Sequence, residues 1–329
     1  MNRASKMFLG LGLGAALSLG SISTANATDI PFDPDGPGPL QFIGFNGNNP
    51  INMLAGLDWG VGNAVAVDSV PLQVGATFTV HYQAKLATFD VRNGANVVSE
   101  TNFNTGAPGS GQTISGLFPD FEWTVNARFM ERVVSINGQT AVFEVIADPN
   151  NYLKIFYDSN PNANTSAGTG FIDGQEILSA SIVIGSSSSV TIQGQGTIDG
   201  TPGGLPSVHI GNGGFNISAI VDSWDEDFLA LSSIGLLPGE FVINQITSTL
   251  ELPFGPGGVA AQLEQVGGPP VVPNLGAFNG ATGPDFQFEA DGNHVFSKVN
   301  AAVPEPATAA LGLMALAGLA LRGRRRQNV

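Results

Sequence analysis

Cysteine is absent from all 329 residues. That excludes disulfides, thiolate metal sites and a cysteine nucleophile, so stability has to come from an apolar core, from strand pairing or from bound cations. Basic residues are scarce too, with 12 Lys and Arg against 27 Asp and Glu. Half of the basic residues sit at the two ends (Arg3, Lys6, Arg322, Arg324, Arg325 and Arg326). Residues 28–303 are therefore left with 26 acids against 6 bases, a formal charge of −20. So acidic a surface repels nucleic acid and anionic lipid, and it favours solubility and cations, calcium among them. Charged residues make up only 12% of the chain, too few for charge-driven disorder. His81, His209 and His294 lie far apart, without an i, i+4 pair or an HExxH run, so no zinc site is indicated. The G-x-S-x-G elbow and the G-x-x-x-x-G-K-[ST] phosphate loop are also missing.

Helical periodicity is nearly absent between residues 28 and 300. Short β-branched and aromatic runs recur instead, among them ATFTVHYQAKL (Ala76 to Leu86), FEWTVNARFMERVVSI (Phe121 to Ile136), AVFEVIA, YLKIFYD, EILSASIVIG and EFVINQITSTLEL. Gly, Asn, Asp and Pro separate them, as between strands. About a dozen such runs without βα alternation predict an all-β fold, an antiparallel sandwich or open barrel with long Gly/Pro/Asn-rich loops. Asn137-Gly138 between two of the runs predicts a tight type I′ hairpin. Residues 253–284 hold PFGPGG, GGPPVVP and NGATGP and read as a semi-rigid loop or stalk within one domain, 28–300.

The two ends differ from this body. Arg3 and Lys6 precede the apolar FLGLGLGAALSLG, and Ala25-Asn26-Ala27 places small residues where signal peptidase cuts, so residues 1–27 read as a secretory signal peptide. At the other end Pro304-Glu305-Pro306 precedes an uncharged run, Ala307 to Leu321, and then Arg322, Arg324, Arg325 and Arg326. As a helix that run is about 22 Å long, short of a ~30 Å hydrocarbon core unless flanking residues and snorkelling arginines extend it. Positive charge beyond it resists translocation, so the tail reads as a short transmembrane stop that holds the exported body at the membrane.

Within the body, Asp158, Asn160 and Asn162 alternate like the opening of a calcium loop, with Asp173 further on. The EF-hand pattern fails at Ala163 and Thr169, which leaves a different calcium loop or an Asx-rich surface loop. Asp222, Asp225, Glu226 and Asp227 surround Trp224. That cluster reads as a solvated face, a cation site or, in an enzyme, a glycosidase pair with Trp224 as sugar platform. Trp59 is a second aromatic face for a sugar ring.

Signal, exported body, Pro-Glu-Pro, apolar helix and arginine cluster together resemble the PEP-CTERM sorting arrangement of Gram-negative bacteria. The resemblance implies cutting near residues 304–306 by an exosortase, so that membrane attachment through residues 301–329 is transient. It also implies delivery to the cell surface or matrix alongside exopolysaccharide. GLDWGVGNAVAV (Gly56 to Val67), the NAN and GTGF elements (Asn162 to Asn164, Gly168 to Phe171) and DFQFEADGNHVF (Asp285 to Phe296) resemble segments of the flocculation-associated PEP-CTERM proteins, which implies a non-enzymatic role in holding cells together and supplies no catalytic residue. An exported hydrolase using residues 222–227, or a self-assembling surface protein, are the alternatives. Removal of the signal after Ala27 predicts that N-terminal sequencing of the exported protein reads from Thr28; a first residue inside 1–27 would contradict it.

Overall fold

A computed structural model describes residues 28–34, 36, 52–93, 96–100, 121–193, 210–252, 262–276 and 282–298. The signal peptide, Pro-Glu-Pro, the apolar run and the terminal arginines lie outside them. Among the described residues no helix is long and apolar enough to cross a membrane.

The described chain is almost entirely β-strand: β1 (Ile30–Phe32), β2 (Asn52–Val67), β3 (Thr77–Asn93), β4 (Asn96–Glu100), β5 (Glu122–Asn137), β6 (Thr140–Ile146), β7 (Tyr152–Asp158), β8 (Gln175–Ile182), β9 (Ser187–Gln193), β10 (Ile210–Trp224), β11 (Phe241–Leu252) and β12 (Phe286–Lys298). All of the strands pair antiparallel, and the pairing closes on itself. The path β3-β2-β12-β11-β10-β8-β7-β5 returns to β3 because Thr77–Lys85 pairs with Thr124–Arg132. Of the two architectures expected from sequence, the structure shows a barrel, and a closed one. Two of its staves are split along their length. The first half of β5 pairs β7 and the second half pairs β6, while β10 pairs β9 and then β8.

Alternation along β5 explains the wall. Trp123, Val125, Ala127, Phe129 and Val133 are buried on one face, the lumen side, as the two-residue period of a strand requires. The opposite face carries Glu122, Thr124 and Asn126, also buried, and ordinary alternation would leave these to solvent. Two connections fold back over this outer face. Residues 159–174 bring a carbonyl to Thr124 Oγ1, which donates to Phe171 O at 2.7 Å. Residues 262–276 bring Glu264, whose backbone N donates to Gln83 Oε1 at 2.9 Å and whose carbonyl accepts from Asn126 Nδ2 at 3.0 Å. Gln83 and Asn126 are cross-strand partners in the closing β3–β5 pair, so the backbone of Glu264 bridges the seam. The Pro/Gly-rich stretch, so far as it is described, is thus a cover laid on the barrel and not a stalk, with Leu263 fully buried beneath it.

One end of the barrel is plugged. β1 pairs the start of β2, and Trp123 Nε1 donates to Pro34 O at 2.8 Å. Phe228 enters from the turn after β10, with ring centroids 4.7 Å from Tyr157 and 6.4 Å from Trp123. Closure also demands a close approach at Gly62, in the β2 bulge. A Cβ there would stand 2.3 Å from Gln83 O, a separation only glycine allows.

The β5–β6 hairpin forms as expected, but one residue later. Asn137 pairs with Thr140, which makes Gly138 and Gln139 the turn, and of the two only Gly138 has positive φ, at 60°. Glycine at the first central position alone fits a II′ loop, not the I′ loop predicted.

Glu264 also accepts the backbone N–H groups of Gly170 (3.1 Å) and Phe171 (2.6 Å), tying one cover to the other. Glu264→Ala should therefore cost about 1–3 kcal/mol, because it strands two amides. Gly170 and Phe171 should then exchange amide hydrogens faster, while Glu264→Gln, which keeps an acceptor, should restore most of the stability. Denaturant titration and hydrogen exchange check both.

Candidate functional site

Three places carry polar chemistry: the Asx-rich loop, the acidic turn after β10 and the lumen. In the loop, Asp158 Oδ1 accepts the amide of Asn160 at 2.8 Å, an Asx turn, and Asn162 Nδ2 donates to Asp173 Oδ2 at 2.9 Å. Asn162 and Asp173 are thus brought together, while Asp158 is engaged on its own turn. Among the described residues no three His, Asp or Glu side chains gather to hold a metal ion. What fixes the loop is Glu122, which composition gave no reason to select. Its Oε1 accepts the amides of Asn162 and Ala163, both at 2.7 Å. Burial raises the Glu122 pKa, opposed by the amides of Ala163 and Asn162 and by Lys85.

The acidic turn is equally bonded. Asp225 Oδ1 accepts the amide of Asp227 at 2.9 Å, Asp225 Oδ2 accepts from Gln175 Nε2 at 2.6 Å, and Asp222 Oδ2 accepts from Ser181 Oγ at 2.6 Å. Glu226 Oε1 receives Trp224 Nε1 at 2.5 Å together with the amide and hydroxyl of Ser232. Trp224 is thereby held half-buried at the rim of a surface cleft of about 310 Å³. Glu176, Asp225 and Glu226 stand around the same cleft. An aromatic ring with carboxylate acceptors beside it is the arrangement that takes a sugar ring by stacking and hydroxyl bonds. Trp59 does not share it. It is fully buried in the lumen, 5.3 Å edge-on to His294, so no surface sugar reaches it. Its β2 segment lies between β3 and β12, and its inward position is closed off by the plugged end.

The lumen holds the groups that sequence reasoning passed over. Glu131 is buried on the inner face of β5 and accepts from Ser188 Oγ at 2.6 Å. It lines a cavity of about 40 Å³ at the end opposite the plug. The signal was present in the sequence: on the face Trp123, Val125, Ala127, Phe129, Glu131, Val133, one acid interrupts an apolar series. Burial pushes the Glu131 carboxyl up to about 7, against the hydrogen bond from Ser188. Burial pulls His294, in the lumen, down to about 3, and His81, on the outer face of β3 with Gln83, down to about 4 with help from Arg128 opposite it.

Residues 302–326 match the family model of the PEP-CTERM protein-sorting motif. No curated protein and no solved structure matches the chain. The chain thus carries a PEP-CTERM motif, as Pro304, Glu305 and Pro306 led one to expect. This defines its class as an exported protein, processed by exosortase and sorted to the cell surface.

These buried groups predict how stability follows pH. Between pH 4.5 and about 7 the unfolded chain ionises at Glu131 while the folded one does not, so this residue lowers stability as pH rises through that window. Glu131→Gln should raise the melting temperature at pH 8, by up to about 3 kcal/mol of stability, and change it little at pH 4. The histidines act with the opposite sign. Below pH 6.5 the unfolded chain takes up protons that folded His81 and His294 refuse until about 4 and about 3, so they destabilise on acidification. Thermal melts of wild type and variant across pH check both directions.

Proposed function

We propose that the exported barrel is a non-enzymatic component of the cell surface or extracellular matrix that holds cells together in polysaccharide. The observation that carries this reading is the pairing of a PEP-CTERM motif with a strongly acidic barrel that has a polar surface cleft bordered by the half-buried Trp224. Stacking at Trp224 would take sugar rings of an exopolysaccharide. Surface carboxylates, those of Asp158 and Asp173 included, would be bridged to acidic polysaccharide by divalent cations such as calcium. Each contact is weak; many barrels on one cell supply avidity. The carboxylates of Asp222, Asp225 and Glu226 bond Ser181, Gln175, and Trp224 with Ser232, and so help to fix the turn, which supports a binding surface more than a hydrolase pair.

Settling of cells tests the reading. A deletion strain should stay dispersed, and the full chain should restore flocs. Chains truncated after Val303, or carrying Trp224→Ala, should restore them poorly, and chelation of divalent cations should disperse wild-type flocs. If deletion leaves settling unchanged, the role in aggregation is wrong.

A further inference from the structure

The closed lumen is not packed evenly. One end is plugged by Phe228, Leu229 and the N-terminal strand. At the other, where the β2–β3 connection brings Ser69 and Leu72 over the barrel, there is space of about 40 Å³. A single water needs about 10–15 Å³ on this scale, so the space admits about three water-sized groups. Its walls are Phe129, Phe143, Phe215, Phe286, Phe288 and Val190, and into them project Glu131 and the hydroxyl of Ser188. Ser188 Oγ donates to one carboxyl oxygen of Glu131, at 2.6 Å.

A carboxyl group at an inward position of a barrel strand is costly where a leucine or methionine would fill the same volume at no such cost. Barrel mouths with apolar walls and a few convergent polar groups are places where small molecules bind, and at about 40 Å³ this one has room for a molecule of about three heavy atoms only. The chemistry here is one-sided. Above about pH 7, where its carboxyl is ionised, Glu131 only accepts hydrogen bonds, and an anionic or acceptor-only ligand would face it unpaired or repelled. The phenylalanine walls accept only an apolar body.

We propose that this cavity is a binding site for a small apolar molecule with a hydrogen-bond-donating head, of the short-chain alcohol or primary amine class, whose head meets Glu131 and whose chain lies among the phenylalanines. The site is independent of the Trp224 cleft and of the aggregation role. It lies inside the barrel wall, whereas the cleft lies on the surface after β10.

The test uses the mature protein as cells release it, isotopically labelled, at pH 8, with ethanol, ethylamine and acetate as probes. Saturable shifts of the Phe129, Glu131, Ser188 and Val190 amides are expected with the alcohol and the amine, and at least tenfold weaker binding with acetate. Glu131→Gln should weaken the amine at least tenfold relative to the alcohol. Val190→Phe, which fills the cavity, should remove saturable shifts for all three probes. Absence of saturable shifts at these amides in the wild type would overturn the proposal, leaving a cavity for water only. Equal binding of acetate and ethylamine, unaffected by Glu131→Gln, would overturn it as well.

Discussion

The pairing of β3 with β5 is the constraint on which the rest of the molecule depends. A sheet that ended at these two strands would present two rows of unpaired backbone groups, a template for aggregation in a protein exported to a crowded surface. Pairing Thr77–Lys85 with Thr124–Arg132 removes both edges at once. It also creates the lumen, and with it the plugged end and the cavity. With no cysteine in the chain, no disulfide can supply this closure, so hydrogen bonding and packing across the seam have to. The cover segment adds to it from outside, since the backbone of Glu264 bonds Gln83 on one strand and Asn126 on the other.

The acidic composition then has two roles. On the surface it gives charge of one sign, which keeps barrels apart and draws cations. Within the fold, carboxylates stand where a connection must be fastened, and they accept backbone amides there. Glu122 holds Asn162 and Ala163, Glu264 holds Gly170 and Phe171, and Asp285 takes the amides of Asp68 and Asn274. Charge-assisted bonds of this kind are stronger than neutral ones. They let long Gly/Pro/Asn-rich connections lie flat on a barrel without regular structure of their own. Glu131 is the exception, because it fastens no connection and faces a cavity.

The strands were legible in the sequence because their period is local. FEWTVNARFMERVV alternates residue by residue, and the lumenal face of β5 can be read from it directly. Closure was not legible, because it depends on which distant strand β3 meets, and nothing local to either strand encodes that. For the same reason Trp59 looked available to a sugar: it shares a face of β2 with Leu57, opposite Asp58, but only closure turns that face into a lumen. The Pro/Gly composition of 253–284 left a loop or a stalk open, and in the described part Leu263 and Glu264 lie against the wall. Asn137-Gly138 marked the hairpin correctly but not the turn residues, because Asn137 stays in the ladder opposite Thr140 and Gly138 takes the first turn position. The sorting motif was readable because it is a linear signal, recognised by order and position.

Closure also suits an exported role. A barrel without long free edges among its described strands, fastened by carboxylates on its outer wall, can stand at the cell surface without pairing with its neighbours. Among the described residues, what it offers a partner is its surface chemistry, the acidic surface and the Trp224 cleft included, and the lumen. Native-state hydrogen exchange across the seam tests this account most directly. The amides of Val80, Tyr82 and Ala84 in β3, and of Val125, Ala127 and Phe129 in β5, should exchange only through global unfolding, at the same free energy as those of the β2–β12 pair. If the β3–β5 amides open in a separate, lower-energy step while β2–β12 stays protected, the barrel is held together elsewhere and closure is not its organising constraint.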